Sequence, residues 1–334
     1  MSIIPVEVPT GAIRYNTDSN KMECFNGTKW MEVAVSSPDL DGGARGIFAG
    51  GRDPSALNTI EYIIISTAGN ATNFGDLSYK PYAPICLADR TRGIIAGGYT
   101  PSVVNTIEYI TISSTGDTTD FGDLPTGQSY GSGVNSPTRG VLGGTYVPGG
   151  FQNIIQYLTI QSTGSANDFG DLPFTMQIDG GASSPTRAVF LGGYITAPTR
   201  ATNIINYITI ATTGNAQDFG DLNEAKYGNS GCSNSIRAVS AGGNTYPTVV
   251  NTIEYVTIAT LGNAIDFGDM TGLGTYVAAV SSPTRGVIGG GGNPSLTNVI
   301  QYISFATTGG ATDFGDLTEA KSQLDGLSNA NGGL

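Results

Sequence analysis

The sequence predicts an all-β fold in which repeated four-stranded units follow a short N-terminal β-meander. Three observations support this prediction. Six units each carry R-[GA]-V/I-x-x-G-G, then N-x-I-x-Y, then G-x-x-x-[DN]-F-G-D-L, with small departures. Stretches such as "TIEYITI" (106–112) are rich in residues that favour strands, and the repeats show little helical periodicity. The units are 47 to 50 residues apart, measured between the arginines Arg45, Arg92, Arg139, Arg187, Arg237 and Arg285.

Each unit is predicted to contain four strands, which we call a to d in chain order. Strand b is the apolar run that ends in two glycines, as in "RGIIAGG" (92–98). Strand c is the tyrosine-containing run, and strand d follows a glycine turn in stretches such as "STGDTTDFGDL" (114–124). Strand a lies in the small residues before each arginine, as in "IDGGASS" (178–184). A repeat of this length is typical of a four-stranded β-propeller blade.

The diglycine, the N-x-x-x-Y strand and the aromatic-ended strand together resemble the kelch family of β-propellers over about 290 residues. The resemblance implies a six-bladed, kelch-like β-propeller over residues 36–334. Two departures are visible. Phenylalanine stands where many kelch repeats have tryptophan, and Thr145 replaces the second glycine of the third unit.

The C-terminal tail is predicted to close the first blade. Leu327 lies ten residues after Leu317, the same offset that separates Leu87 from Leu77 in strand a of the second unit. We therefore expect the tail 318–331 to supply strand a of the first blade, which would remove open sheet edges. The alternative strand is "VSSPDLDGGA" (35–44).

The length variation falls between the diglycine and the asparagine of each unit, so one face of the predicted propeller is variable. Antiparallel order places these b–c loops on the same face as the d–a connections. Each b–c loop contains a proline, which limits its flexibility (Pro54, Pro101, Pro148, Pro198, Pro247 and Pro294). The b–c loops carry Tyr99, Tyr146, Phe151, Tyr194 and Tyr246, and the d–a connections carry Tyr82, Tyr130, Tyr227 and Tyr276.

Tyrosine combines a flat ring for stacking with a hydroxyl for hydrogen bonding. We therefore predict that this face recognises a glycan or another surface polymer. The alternative for any single ring is that it only covers loop backbone.

Composition argues against several classes of partner and cofactor. The 334 residues carry a net charge of −12, which disfavours nucleic acid and anionic membrane surfaces as partners. No apolar run near 18 residues is present, so we predict no membrane insertion. We also see no secretory signal. The three cysteines lack metal-type spacing and are read as free thiols, and with no histidine present we predict no metal and no cofactor.

The repeated charged residues are predicted to build the units. We expect the six arginines to form buried ion pairs with the FGD aspartates of neighbouring blades. The absence of histidine also excludes a Ser-His-Asp triad, so we predict that the protein is not an enzyme. Glycoside cleavage by two carboxylates remains the enzymatic alternative. Its candidates are Asp89, Asp179 and Asp325 near the channel, with Asp53 and Glu224 on loops.

Residues 1–35 are predicted to form a separate module. "GAIRYNT", "KMECFNG" and "KWMEV" read as three strands, the last two joined at Asn26-Gly27, a tight-hairpin signal. So small a meander can bury little core and should need a partner or sister copies. Pro9–Val33 resembles a module of virion proteins from tailed bacteriophages.

This second resemblance implies a structural protein of the virion, most simply a tail fibre or receptor-binding protein that is synthesised in the host cytoplasm. Its implied partners are other virion proteins and sister copies, through the N-terminal module, and a host surface glycan or protein receptor. Two alternatives remain: a polysaccharide-degrading appendage enzyme, and a capsid or baseplate appendage without receptor binding.

Overall fold

The computed structural model describes residues 8–16, 21–32, 44–196, 199–292 and 294–334. The chain divides into two compact units, Met1–Leu40 and Asp41–Leu334, and each is described by itself. The described residues form strands, turns and loops without a helix, which confirms the all-β prediction. Of the alternative first strand at 35–44, all but the last residue lies outside the described residues, as does Pro198.

The N-terminal unit contains a three-stranded antiparallel sheet. Its strands are β1 (Ile13–Asn16), β2 (Lys21–Phe25) and β3 (Trp30–Glu32), in that order across the sheet. The β2–β3 turn is displaced by one residue from the predicted Asn26-Gly27 pair. Phe25 pairs with Trp30, so Gly27 and Thr28 are the central residues, with φ of Gly27 at 95°. Asn26 precedes the two central residues of the turn, and its side-chain oxygen accepts a hydrogen bond from the N–H of Thr28 at 3.0 Å.

The second unit contains six four-stranded antiparallel sheets. Its strands in chain order are β4 (Arg45–Ala49), β5 (Arg52–Asp53), β6 (Ser55–Ala56), β7 (Thr59–Ile64), β8 (Thr72–Asp76), β9 (Ile85–Ala88), β10 (Arg92–Ala96), β11 (Val104–Thr111), β12 (Thr119–Gln128), β13 (Ser132–Asn135), β14 (Arg139–Gly143), β15 (Tyr146–Val147), β16 (Gly150–Phe151), β17 (Ile154–Thr159), β18 (Asn167–Asp171), β19 (Gly181–Ser183), β20 (Arg187–Gly193), β21 (Thr202–Thr209), β22 (Gln217–Asp221), β23 (Ser230–Ser233), β24 (Arg237–Ala241), β25 (Thr252–Thr257), β26 (Ile265–Asp269), β27 (Ala278–Ser281), β28 (Arg285–Gly289), β29 (Val299–Ser304), β30 (Thr312–Asp316) and β31 (Asp325–Ser328).

Five sheets use four strands that are consecutive in the chain apart from small hairpins. These are sheet 2 (β9–β12), sheet 3 (β13, β14, β17, β18), sheet 4 (β19–β22), sheet 5 (β23–β26) and sheet 6 (β27–β30). Sheet 1 has the order β31-β4-β7-β8, and Leu327 of β31 lies opposite Ile47 of β4. The hairpins β5–β6 and β15–β16 lie in the loops between second and third strands of sheets 1 and 3.

Six apolar clusters hold the four-stranded sheets together, because strands of each sheet bury apolar side chains against a neighbouring sheet. Each cluster combines residues from two sheets. Phe190 of sheet 4, for example, packs with Val141 and Phe169 of sheet 3. One cluster joins sheet 6 to sheet 1 and includes Phe48 and Phe314. Burial of these aliphatic and aromatic side chains is the main stabilising contribution to such a fold.

The predicted ion pairs between arginines and FGD aspartates are wrong. Among the described residues, the second-strand arginines instead donate to backbone carbonyls of the next sheet. Arg187 Nη1 donates to the carbonyl of Ile258 at 2.8 Å, and its guanidinium lies 4.7 Å from the Tyr207 ring centroid. A carbonyl just beyond a strand end needs a donor, and guanidinium also stacks well on an aromatic ring. The same bond is made by Arg45, Arg92, Arg139, Arg237 and Arg285.

Candidate functional site

The inter-sheet connections and the loops between second and third strands meet on one side of the sheets. By an inter-sheet connection we mean the segment from the fourth strand of one sheet to the first strand of the next. Tyr82 in one connection and Tyr99 in the adjacent loop exchange both backbone hydrogen bonds, at 3.0 and 2.8 Å. Equivalent bridges join Ser129 to Tyr146, Gln177 to Tyr194, Tyr227 to Asn244, Thr275 to Gly292 and Arg52 to Ser322.

The aromatic side chains on this side form a continuous row of eight rings. Neighbouring ring centroids are between 5.0 and 6.4 Å apart, which is the range of favourable edge-to-face and tilted contacts. The row includes eight of the nine rings that the sequence placed on this face, and Tyr276 links its two halves. We call it the aromatic row; its order is Tyr99, Tyr82, Tyr130, Tyr276, Tyr227, Tyr194, Phe151, Tyr146.

Tyr246, the ninth of these rings, has no ring contact with the row. It is 46% exposed, and the guanidinium of Arg200 lies 4.6 Å from its ring centroid. A second guanidinium, that of Arg52, lies 5.1 Å from the centroid of Tyr82 within the row. The aromatic surface is therefore accompanied by two stacked cations.

On this side the inter-sheet connections are also bonded to one another. Tyr130, Tyr276 and Gln323 occupy equivalent positions and have φ of 53°, 53° and 55°, a left-handed conformation that non-glycine residues adopt at an energetic cost. Backbone N–H groups link these positions from one connection to the next. Gln323 donates to Tyr276 at 3.1 Å, Ala83 to Gln323 at 2.6 Å, and Tyr130 to Ala83 at 3.1 Å. The strained backbone is thus held by its neighbours.

A small cavity of about 30 Å³ opens between these connections. We call it the acidic cavity; its lining includes Tyr130, Asp179, Tyr276, Gln323 and Asp325. Asp179 accepts hydrogen bonds from the Gln177 amide at 2.8 and 2.9 Å and from the N–H of Gly228 at 2.9 Å.

Asp325, the second aspartate of the lining, accepts hydrogen bonds from the backbone N–H of Cys86 at 2.7 Å and from that of Gly326 at 2.8 Å. Gln323 donates to the Tyr130 hydroxyl at 2.8 Å. Its other amide atom, Oε1, is buried without a hydrogen-bond partner.

Both carboxyl groups of the cavity are easier to protonate than ordinary aspartates. Burial raises the pKa of Asp179 to about 6, against the lowering effect of its hydrogen bonds. Burial, together with the nearby Asp179 charge, raises the pKa of Asp325 to about 7. Burial also raises the pKa of Tyr130 to about 12, so this phenol stays neutral at ordinary pH.

The other candidate carboxylates lie elsewhere. Asp89 follows the first strand of sheet 2 at the end opposite the acidic cavity, where its Oδ1 accepts the N–H groups of Thr91 and Arg92, each at 2.7 Å. Asp89 therefore caps a turn. Asp53, at the end of β5, and Glu224, in the connection after β22, are exposed. Of the five carboxylates considered from the sequence, the structure brings together Asp179 and Asp325.

No protein-family model matches this chain, and no curated protein matches it either. The described part of the chain contains no helix with the length and apolar character needed to cross a membrane. Within the same residues, no cluster of three or more histidine, cysteine, aspartate or glutamate side chains is arranged to hold a metal ion.

Proposed function

We propose that the six sheets are the blades of a six-bladed, kelch-like β-propeller. Contacts between successive sheets support this and also link the sixth sheet to the first. Between sheets 2 and 1, the N–H of Gly116 donates to the carbonyl of Phe74 at 2.8 Å. Between sheets 1 and 6, the N–H of Gly69 donates to the carbonyl of Phe314 at 2.7 Å. A cavity of about 40 Å³ is lined by the first strands of all six sheets. A closed propeller accounts for both observations.

We propose further that the protein is a bacteriophage virion protein of the tail-fibre type, whose aromatic row binds a glycan of the host surface. The row is the observation that carries this proposal. Half-buried tyrosines offer ring faces to sugar rings and hydroxyls to sugar hydroxyl groups. The rings come from several loops and connections held by backbone bridges, so a ligand would find the surface preorganised.

The N-terminal sheet is the proposed attachment module, joining sister copies or other virion proteins. Alternation along its strands divides it into two faces. One face carries Ile13, Met22 and Met31, which are 64%, 45% and 44% exposed. On the other face, Arg14 pairs with Glu23 at 2.7 Å and stacks on Trp30 at 4.2 Å. Sedimentation velocity of the purified chain tests association, and a monomer at micromolar concentration would contradict the oligomer proposal.

The glycan proposal predicts that removing two rings of the row weakens binding to host surface polysaccharide. We choose Tyr99→Ala with Tyr194→Ala, because these rings lie on different loops and outside the acidic cavity. The expected loss is about tenfold or more, since stacked aromatic side chains are common binding hot spots. Binding is measured by biolayer interferometry on immobilised polysaccharide.

Ile236→Ala is the matched control. Ile236 is 60% exposed and lies in the turn between β23 and β24, at the opposite end of the first strand from the aromatic row. Full binding by the double tyrosine variant, with an unchanged circular dichroism spectrum, would reject the row as the binding surface. Mass spectrometry of purified particles tests the virion location directly.

Glycoside hydrolysis is the second candidate function, and the acidic cavity is the observation that favours it. Two carboxyl groups with raised pKa values in one cavity are the components of such a mechanism. Against it, all the carboxylate oxygens of Asp179 and Asp325 accept hydrogen bonds from the protein. Chromatography of the polysaccharide after incubation decides between the two, because shorter products would support the enzyme. A capsid or baseplate role without receptor binding is indicated if no polysaccharide binds.

A further inference from the structure

The acidic cavity brings together residues that carry hydrogen-bond acceptors. Its lining includes Asp179, Asp325 and Gln323. Gln323 is only 7% exposed, and its Oε1 is buried without a hydrogen-bond partner. No lysine or arginine is among its lining residues. Tyr130 and Tyr276 add aromatic surface, with 6.2 Å between their ring centroids. A buried acceptor without a donor is costly, so the cavity as it stands favours a ligand that donates hydrogen bonds.

We propose that the acidic cavity is a subsite for a primary alkylammonium group carried by the bound glycan. An ammonium group provides three donors and a positive charge, which match the Gln323 oxygen and the carboxylates of Asp179 and Asp325. Aromatic side chains beside such a charge add cation–π attraction. The inference rests on the proposed glycan recognition, because the aromatic row leads along the surface to Tyr130 and Tyr276 of this cavity.

The size of the cavity limits what can enter. About 30 Å³ accommodates a group the size of one water molecule or ammonium head, and a whole sugar ring is larger. The sugar ring would therefore stay on the aromatic row while its charged substituent enters the cavity.

Affinity for the ammonium group should rise with pH between 5 and 8. The carboxyl groups lose their protons as pH passes about 6 and about 7, so the cavity becomes negatively charged over this interval. An alkylammonium stays charged throughout, since its pKa is about 10. Burial raises the pKa values of the other titratable groups that face the pair, which are Tyr130, Tyr227, Tyr276 and Cys86. These groups stay neutral over this interval, and the guanidinium of Arg52 is the charged neighbour of Tyr130.

The test uses ethanolamine as the probe and the full chain labelled with ¹⁵N at tyrosine. Saturable NMR shifts of Tyr130 and Tyr276 are expected at pH 8, with about tenfold weaker affinity at pH 5. N-acetylethanolamine, which has no charge, should cause no such shift. Asp325→Asn should weaken binding by about tenfold. Gln323→Met removes the unpartnered acceptor and leaves both carboxyl groups, so it provides a second variant if Asp325→Asn folds poorly.

Asp53→Asn is the control, because it removes the same charge from an exposed loop. An equal loss in Asp53→Asn, or equal shifts with N-acetylethanolamine, would overturn the proposal. Saturating shifts with calcium chloride alone would also overturn it and indicate an inorganic cation site. Tyr99→Ala with Tyr194→Ala should weaken polysaccharide binding and leave the ethanolamine shifts intact. The glycan proposal and the ammonium subsite can therefore fail separately.

Discussion

Each second-strand arginine joins two neighbouring sheets by donating to a backbone carbonyl just beyond the end of a strand. An aspartate looked like the natural partner of Arg187, yet the structure pairs its guanidinium with a backbone carbonyl and the Tyr207 ring. Every residue has a carbonyl, so the sequence gives no sign of which carbonyl is left without a strand partner. The repeat pattern includes Tyr207, but the stacking of the Arg187 guanidinium on its ring depends on how the neighbouring strands are spaced.

Residues that differ between units carry information that the repeat pattern hides. The inter-sheet connection places one side chain against the middle of the next sheet's third strand. Lys226 and Glu254 form an ion pair at this place, 2.8 Å apart and 0% and 3% exposed. Lys321 pairs with Glu61 at the equivalent place, and Gln128 donates to Gln156. At both places where the connection supplies a lysine, the facing third-strand residue is a glutamate, a pairing that sequence reasoning missed.

Lys226→Met is expected to destabilise the fold by about 3–5 kcal/mol, because it leaves Glu254 buried without its cation. Urea unfolding followed by circular dichroism measures the change. The remaining hydrogen bond to Glu254, from the N–H of Asn223 at 2.7 Å, does not replace the lost positive charge.

Sheets 3 and 4 supply the matched second variant. There Met176 occupies the position equivalent to Lys226, and Asn206 the position equivalent to Glu254. Lys226→Met with Glu254→Asn copies this pair and removes both charges, so it should recover much of the lost stability. A single Lys226→Met variant as stable as the parent chain would show that the ion pair is not needed.

At the scale of the strand, the glycine of each FGD motif has a physical reason. Gly220 in β22 has φ of 145°, and a Cβ atom there would lie 2.5 Å from the carbonyl oxygen of Gly262. Gly262 belongs to the turn of the next sheet, and its N–H donates to the carbonyl of Phe219 at 2.9 Å. The strand and the turn approach so closely that only glycine fits between them.

Gly220→Ala should therefore destabilise the fold by about 1–3 kcal/mol, through overpacking and backbone strain. Gly272→Ala is the control, because a Cβ atom at that residue meets no atom within 4 Å and φ is not left-handed. Thermal unfolding of the two variants makes the comparison. Equal melting temperatures would mean that the strand can move away from the turn at little cost.

The aromatic row shows how far loop residues can be predicted. Strand order placed the loops and the connections on one side, and backbone bridges join them there in the structure. The ring order could not be inferred, because it depends on left-handed residues such as Tyr130 and Tyr276. The sequence placed Asp179 and Asp325 near the channel together with Asp89, but it did not show that only the first two share a cavity. Asp325 begins β31 and Asp179 lies in the connection before β19, so the two have no common position in the repeat.

At the scale of the whole second unit, one strand contacts three sheets. Leu327 in β31 was placed by its offset from Leu317, and in the structure it lies opposite Ile47 in sheet 1. On one side, the Ser328 hydroxyl donates to Ser281 of sheet 6 at 2.7 Å. On the other, Asp325 accepts the N–H of Cys86 of sheet 2 at 2.7 Å. In the proposed propeller, β31 therefore closes the ring.

Leu327→Ala tests this closure. Leu327 is 3% exposed in the cluster between sheets 1 and 2, so its truncation should cost about 2–5 kcal/mol. If the ring is closed, unfolding should stay a single transition, and amide exchange should become faster in sheets 6, 1 and 2 together. Leu273→Ala, at a residue that is 53% exposed, should change stability by no more than about 0.5 kcal/mol. Faster exchange confined to β31 and β4 would instead mean that the neighbouring sheets do not depend on the closing strand, and would argue against the propeller.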